Sequence, residues 1–418
     1  MTEEMRDTLV LGAGVVGLSA ALYLRRSGIA VTVLDPLGPA GGASFGNAGM
    51  LSPETAVPIA LPGMLREVPR WLTDPLGPLA VRLARLPRAA PWLARWLLAS
   101  RLSRVLEISD AMRALHRRSL ECWQELLGPE SFRELVRPSG HLQIWEGEAK
   151  GATAALEQRL RERHGIRAEP LGADELRQLV PGIARSVRHG LLVPANGFTA
   201  NPQRIVAALA ERFLHEGGEI VRERAMKLLP RASPGGFTVM TNLANREAAR
   251  LVVAAGAWSR ELLDPLGVKT ALETERGYHA MLPAPSITPR LPISNKSRGF
   301  ALTPMEHGLR VAGTVEIAGL AAPPDERRAA VLVQHAKRLF PDLVHGEPSF
   351  WMGFRPSTPD SLPVLGAVAN RPGLFLDFGH GHFGMTGGPP SGRLLAALVS
   401  GRTPEIDPAP YAPTRFGR

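Results

Sequence analysis

Cysteine is nearly absent from this chain: Cys122 stands alone among 418 residues. That excludes a disulfide framework and a thiol-rich metal site, and it leaves Cys122 to be read as a small core side chain in a protein of a reducing compartment. No metal site is expected. Tyrosine is scarce as well, at three residues, and the aromatic share is 6%. The start, Met1-Thr2-Glu3-Glu4-Met5-Arg6-Asp7, runs directly into an apolar strand. It lacks the basic stretch, apolar core and small-residue cleavage site of a secretory signal, so the expected location is cytoplasmic. Apolar runs are too short and too interrupted by charge to span a bilayer, and no internal repeat or low-complexity tract is present. Negative charge is also in deficit, with 39 acidic against 49 basic residues and a formal charge of +10. The arginines are scattered rather than blocked, and no helix-turn-helix, zinc-finger or aromatic-basic signature accompanies them, so nucleic acid is not an expected partner.

What is present is a chain with 44% hydrophobic residues, long enough for two or three domains with large cores. It opens as strand Thr8-Leu9-Val10-Leu11, glycine turn, apolar helix to about Arg26, then strand Ala30-Val31-Thr32-Val33-Leu34, a βαβ start. A second unit follows Asn201-Pro202. Gln203 to Glu216 has helical periodicity, Gly217-Gly218 stops it, and the unit closes on Arg250-Leu251-Val252-Val253-Ala254-Ala255, unbroken in the manner of a parallel strand covered on both faces. Near the end Gly373-Leu374-Phe375-Leu376-Asp377-Phe378 reads as a strand, followed by a glycine-rich turn and a helix from about Pro390 to Ser400. Alternating strands such as His141-Leu142-Gln143-Ile144-Trp145 and Leu309-Arg310-Val311-Ala312-Gly313 lie between these units. The expected fold is α/β: a Rossmann-like nucleotide domain assembled from 1–60, 193–258 and 360–418, and a largely antiparallel substrate domain from 61–192 and 259–359.

Gly12-Ala13-Gly14-Val15-Val16-Gly17 matches G-x-G-x-x-G between strand and helix, where missing side chains let backbone approach a pyrophosphate at a helix N-terminus. Asp35 ends the next strand, where a carboxylate can bind ribose hydroxyls. FAD and NAD both use this fingerprint. Two further features favour a flavin. Gly41-Gly42-Ala43-Ser44-Phe45-Gly46-Asn47-Ala48-Gly49 is a second small-residue loop able to follow an extended cofactor, and the Gly379-His380-Gly381-His382-Phe383-Gly384-Met385-Thr386 turn opens a helix whose positive end could stabilise the reduced flavin. The expected cofactor-facing set is Gly12, Gly14, Val15, Val16, Gly17, Asp35, Pro36, Ser44, Asn47, Ala48, Gly49, Met50, Met226, Gly256, Gly379, His380, Gly381, His382, Gly384, Met385 and Thr386.

These motifs, with Ser52-Pro53, Ser139-Gly140-His141-Leu142-Gln143, Arg276-Gly277-Tyr278 and Phe350-Trp351-Met352-Gly353-Phe354-Arg355-Pro356 followed by Thr358-Pro359-Asp360, resemble the D-amino-acid oxidase superfamily over nearly the whole chain. Within it the match is to the bacterial D-amino-acid dehydrogenase small-subunit type. The resemblance implies noncovalent FAD, a two-domain fold and a substrate above the flavin re face. It places the carboxylate-binding arginine at Arg355 and its tyrosine partner at Tyr278. A planar guanidinium suits that role, holding a carboxylate through two parallel hydrogen bonds. His279 and His382 read either as general bases or as turn-stabilising groups. Glu275 and His279 could tune preference toward a cyclic imino acid such as D-hydroxyproline.

The expected reaction is hydride transfer from Cα of a D-amino or D-imino acid to flavin N5, giving an imino acid. The electron acceptor is expected to be a quinone or an electron-transfer protein. Alternatives are a D-proline or D-hydroxyproline dehydrogenase giving a cyclic imine, a glycine or sarcosine oxidase using oxygen, a flavin-binding subunit of an amine-oxidising complex, and a nicotinamide-dependent dehydrogenase. Tryptophans, leucines and arginines interleave through Pro69-Arg70-Trp71-Leu72, Leu79 to Leu86 and Pro91 to Leu98. That stretch reads equally as a membrane-interface segment, peripheral on the inner face of the cytoplasmic membrane, or as helices covering the substrate domain.

Overall fold

The computed structural model describes residues 8–64, 77–147, 152–232 and 235–416. Apolar β-branched runs covered on both faces build a six-stranded sheet. Its order is Val364–Ala367, Leu374–Phe378, Arg250–Val253, Thr8–Leu11, Val31–Leu34, Glu219–Val221. Every neighbouring pair is parallel except the first, which is antiparallel. Four helices lie against it: Val15–Arg26, Ser119–Leu135, Pro202–His215 and Gly384–Val399. Pro202 starts its helix where a missing N–H costs nothing, and Asn201 Oδ1 accepts from the backbone N–H groups of Gln203 and Arg204. The last helix begins at Gly384 rather than near Pro390. Pro389 and Pro390 fall in its second turn, each removing one intrahelical bond, and the Met385 carbonyl left free by Pro389 accepts from Trp123 instead.

The second sheet has nine strands and is largely antiparallel, in the order Ser349–Ser357, Glu273–Leu282, Gly308–Ile317, Phe300–Met305, Ile293–Asn295, His141–Trp145, His189–Val193, Glu169–Leu171, with Leu79–Val81 pairing parallel to Gly308–Ile317. One face packs on helix Arg327–Leu339 in a core of Tyr278, Ala280, Leu309, Val311 and Leu332. The other face carries Glu275, Gly277, His279, Gly353 and Arg355.

Helices Leu102–His116 and Ser119–Leu135 come from the stretch read with the substrate domain, yet they pack on the nucleotide-fold side. Trp123, Leu126 and Leu127 share a core with Leu18, Leu22 and Phe213. The buried Trp123 indole donates to the Met385 carbonyl at 2.8 Å, tying these helices to the first turn of helix Gly384–Val399. Among the described residues, no helix is long and apolar enough to cross a membrane. Trp123→Ala should lower stability by about 3–5 kcal/mol, the usual cost of truncating a large buried aromatic. Denaturant unfolding would check it, and a loss below about 1 kcal/mol would remove Trp123 from the role of tie between the two layers.

Candidate active site

Between the carboxyl ends of the parallel strands and the open face of the second sheet lies a continuous cavity of about 2050 Å³. This is about twice the upper end of the roughly 300–1,000 Å³ typical of small-molecule sites, enough for an extended dinucleotide with a small substrate beside it. Its nucleotide end is built from backbone. Gly12 has φ +116°, and a Cβ there would sit 2.4 Å from the Ala254 carbonyl oxygen; one on Gly17 would sit 1.9 Å from that of Gly12. Helix Val15–Arg26 has no side-chain cap and no acid in its first turn. Val15 N–H donates to the Ser44 hydroxyl at 3.0 Å, and the other N–H groups of this positive end remain available to a phosphate. Asp35 accepts from the backbone of Ala13, Leu37 and Gly38, which fixes the carboxylate at the cavity wall with lone pairs to spare for ribose hydroxyls.

Helix Gly384–Val399 also lacks a side-chain cap and first-turn acids, and its N-terminus meets the same cavity. The two helices pack so closely that a Cβ on Gly392 would lie 2.7 Å from Ala20 N. Two positive helix ends thus serve one cavity. Residues 45–50 run between them along the wall, held from the second sheet. Buried Arg310 donates to the Phe45 and Asn47 carbonyls at 3.2 and 2.5 Å, and His279 Nδ1 donates to the Gly46 carbonyl at 3.1 Å. The residues present fit a flavin dinucleotide: uncapped helix ends for pyrophosphate and for an electron-rich ring, an acid for ribose, and glycines where a Cβ would intrude.

On the substrate side, Arg355 pairs in register with Glu275, and its guanidinium lies across Gly277, where a Cβ would come within 2.2 Å of Cζ. Nη1 donates to the Thr314 carbonyl at 3.3 Å. Thr314 is the extra residue where the Glu273–Leu282 and Gly308–Ile317 pairing shifts register, and its φ is +54°, a costly conformation for a β-branched side chain that turns this carbonyl toward the guanidinium. Arg355 forms no ion pair within 4.0 Å among the described residues, though the charge of Glu275 is nearby. Burial lowers its pKa, and Glu275 partly offsets that.

Every residue of the expected cofactor set lines the cavity except Gly17 and Gly49, which hold its backbone turns from behind. Met226 stands at a register shift in the Ala225–Pro230 strand and Gly256 at φ +55° beside Trp258. Three residues of the expected site have side chains engaged within the protein. Tyr278 faces away from Arg355: strand alternation turns its ring into the core against helix Arg327–Leu339, where its hydroxyl donates to Glu316 at 2.6 Å and accepts from Asp325 N–H. It is a core tyrosine. His279 shares the face of Arg355 but is committed to Gly46 and stacked on Trp351 at 5.1 Å. Burial first, then Arg310, pushes its pKa down to about 3, so it is a neutral support for the loop. The His380 side chain is likewise internal, joined to the Ser391 hydroxyl at 3.0 Å and pushed by burial down to about 3. Only its backbone position in the turn fits a cofactor contact.

The Leu79–Leu98 stretch divides: Trp92 is buried, whereas Leu83, Leu86 and Leu98 are exposed. Leu79–Val81 is a sheet strand, and Arg82 and Arg85 are paired with buried Glu316 and Glu273 at 2.6 and 2.8 Å. Trp92 donates to the Ser357 carbonyl, and with Trp96 it lines the cavity. Pro69 to Leu72 lie outside the described residues. Sequence reasoning missed these tryptophans as cavity walls, because interleaved tryptophan and arginine read equally well as an interface. It also missed the joining of Glu275 to His382 Nε2 at 2.8 Å, a contact between residues 107 positions apart.

A family model described as DAO, FAD dependent oxidoreductase, matches residues 7–398. A D-amino-acid oxidase from Bradyrhizobium diazoefficiens is 39% identical over 420 residues, covering 99% of both chains. Among solved structures, a glycine oxidase from Geobacillus kaustophilus aligns with TM-score 0.73 at 22% identity over 98% of each chain. An L-proline dehydrogenase from P. horikoshii aligns with TM-score 0.76 at 18% identity, over 99% of this chain and 98% of that one. Both share its fold. Gly12→Ala should abolish retention of FAD, since the added Cβ meets Ala254 backbone that cannot yield. The visible flavin absorbance of the purified variant checks this, and full occupancy would refute the backbone cradle.

Proposed function

We propose that this chain, which belongs to the DAO family of FAD-dependent oxidoreductases, oxidises the Cα–N bond of small D-amino acids and passes the electrons to a quinone or other carrier. The observation that carries the reading is Arg355. It is a guanidinium laid flat on the cavity wall, with one carbonyl contact, no ion pair among the described residues, and donors left facing the cavity. Its natural occupant is a carboxylate, and the 39% identical D-amino-acid oxidase supports an amino acid of D configuration as the bearer.

FAD, held by the glycine turns, Asp35 and the two helix ends, would supply a two-electron acceptor for the Cα hydride. Arg355 holds the substrate carboxylate through two parallel hydrogen bonds, leaving Cα little rotational freedom. The positive N-terminus of helix Gly384–Val399 would stabilise the negative charge of the reduced cofactor. Trp92, Trp96, Trp258 and Phe354 wall the cavity with apolar surface, excluding water and strengthening the charge contacts inside. The imino acid released would hydrolyse in water to a 2-oxo acid and ammonia.

Anaerobic bleaching of the flavin by a panel of D-amino acids, D-proline, cis-4-hydroxy-D-proline, glycine, sarcosine and L-enantiomers tests this directly. Bleaching by D-compounds is expected. Bleaching by glycine and sarcosine alone, or by none of the panel, would overturn the substrate class. Arg355→Ala should raise KM about 30-fold or more, because truncating one partner of a buried charged pair costs about 2–5 kcal/mol. Unchanged steady-state kinetics in that variant would remove Arg355 from carboxylate binding.

A further inference from the structure

We infer that His382 and Glu275 form a proton-accepting dyad that takes the ammonium proton of the substrate, with His382 as the catalytic base and Glu275 as its positioning residue. The inference deepens the amino-acid-oxidising reading and rests on it. A D-amino acid enters at neutral pH largely as a zwitterion, and hydride can leave Cα only when the nitrogen lone pair is free to form the C=N bond. Some group has to receive that proton.

The geometry selects His382. Glu275 stands opposite Arg355 in the strand register, and from the other side His382 Nε2 reaches Glu275 Oε2 at 2.8 Å. One buried carboxylate is therefore flanked by the expected anchor for a carboxylate and by an imidazole. An α-amino acid carries its carboxylate and its nitrogen on the same carbon, so a substrate held by Arg355 presents its amine within the same small region of cavity wall. Glu275 is 7% exposed, whereas the His382 side chain is 33% exposed and lines the cavity. Burial alone would raise the Glu275 pKa, but the hydrogen bond and charge of His382 and the charge of Arg355 outweigh burial and keep it below the ordinary value. An ionised carboxylate only accepts, so Nε2 carries the proton and Nδ1 presents a lone pair. Among the described residues no protein group is hydrogen-bonded to Nδ1. A base held by a buried acid is the usual construction of an activated proton acceptor.

The step balances simply. The ammonium N–H bond breaks and its proton goes to Nδ1. The Cα–H pair then leaves as hydride to FAD while the nitrogen lone pair becomes the second C=N bond, and the imidazolium returns its proton to solvent. The other charged or titratable groups facing His382 are Glu275, Arg355, His380 in the same turn, and His116, whose ring lies 5.6 Å from Phe383. Burial pushes His380 and His116 down to about 3 and about 4, so neither titrates in the range where the dyad is tested.

The experiment compares kcat/KM of the FAD-loaded wild type, His382→Ala, His382→Gln and Glu275→Gln from neutral pH to above the ammonium pKa of the substrate, with Arg355→Ala in parallel. At neutral pH the His382 variants should lose about 100-fold or more, within the range of general-base contributions. The deficit should close as pH rises and the amine arrives already neutral, and added imidazole should restore part of the rate to His382→Ala. Flavin content should stay at the wild-type level. A deficit that is constant with pH and unresponsive to imidazole, or smaller than about 3-fold, would overturn the dyad. Should Glu275→Gln not fold, the part-exposed His382 still carries the test. If Arg355→Ala raises KM and the His382 variants behave as wild type, the dyad alone fails. If the pH-dependent His382 deficit appears while Arg355→Ala is unaffected, the carboxylate reading fails and the proton acceptor stands.

Discussion

The close approach of helices Val15–Arg26 and Gly384–Val399 is the constraint on which the site depends. Their contact at Gly392 and Ala20, with Gly388 against Val15 and Val16, brings two uncapped N-termini to one cavity. Each end contributes positive potential only if nothing neutralises it, so both first turns lack acids. The arrangement also explains what lies behind the second helix. Trp123 bonds to Met385, the Thr386 hydroxyl accepts from Ser52 N–H, and Ser391 bridges His380 and Asp377, whose pKa burial raises well above the ordinary range. These groups fix the helix in rotation and height, which a site based on helix ends requires.

The opposing wall follows a different rule. Glycine weakens a strand unless something must lie where its side chain would be. Gly277 yields its place to the Arg355 guanidinium, and Gly353 to the Trp351 indole, which also fills the space that a Cβ on Gly46 would occupy. Large planar groups therefore lie flat on the sheet instead of standing up into the cavity. The 45–50 loop rests on them and on His279 and Arg310, so cofactor cradle and substrate wall share supports.

Much of this was legible in the residues because it depends on backbone and on local order. A glycine fingerprint between strand and helix, an acid closing the next strand, and a late glycine turn each announce themselves within a dozen positions. What was not legible depends on the phase of side chains across strands. Tyr278 was expected beside Arg355, but strand alternation sends it and Arg276 to the opposite face from Gly277, where Arg276 donates to the Gly319 and Pro323 carbonyls. Order along the chain does not tell which face of the strand each residue takes. The Glu275–His382 contact was invisible for a related reason: it joins a strand interior to a turn from the other sheet. The tryptophans of the Pro91 to Leu98 stretch were ambiguous, because a helix that walls an apolar cavity and one that meets a lipid surface carry the same residues on one face.

Arginine illustrates how charge is used throughout the molecule. The excess of basic residues invites thoughts of an anionic partner, yet the buried arginines are bound internally. Arg276, Arg310 and Arg328 donate to backbone carbonyls of loops and strand ends, joining segments that would otherwise leave acceptors unsatisfied. Many surface arginines pair with acids at modest benefit. Arg355 differs from its buried neighbours in having one long carbonyl contact and a cavity in front of it. Desolvation without full compensation is costly for a cation, and the register shift at Thr314 adds backbone strain to the same spot. Two local costs meet at one position, which is what the proposed carboxylate at Arg355 would offset. Glu275 lies beyond ion-pair distance and offsets that cost only in part, so the guanidinium keeps donors for a further acceptor.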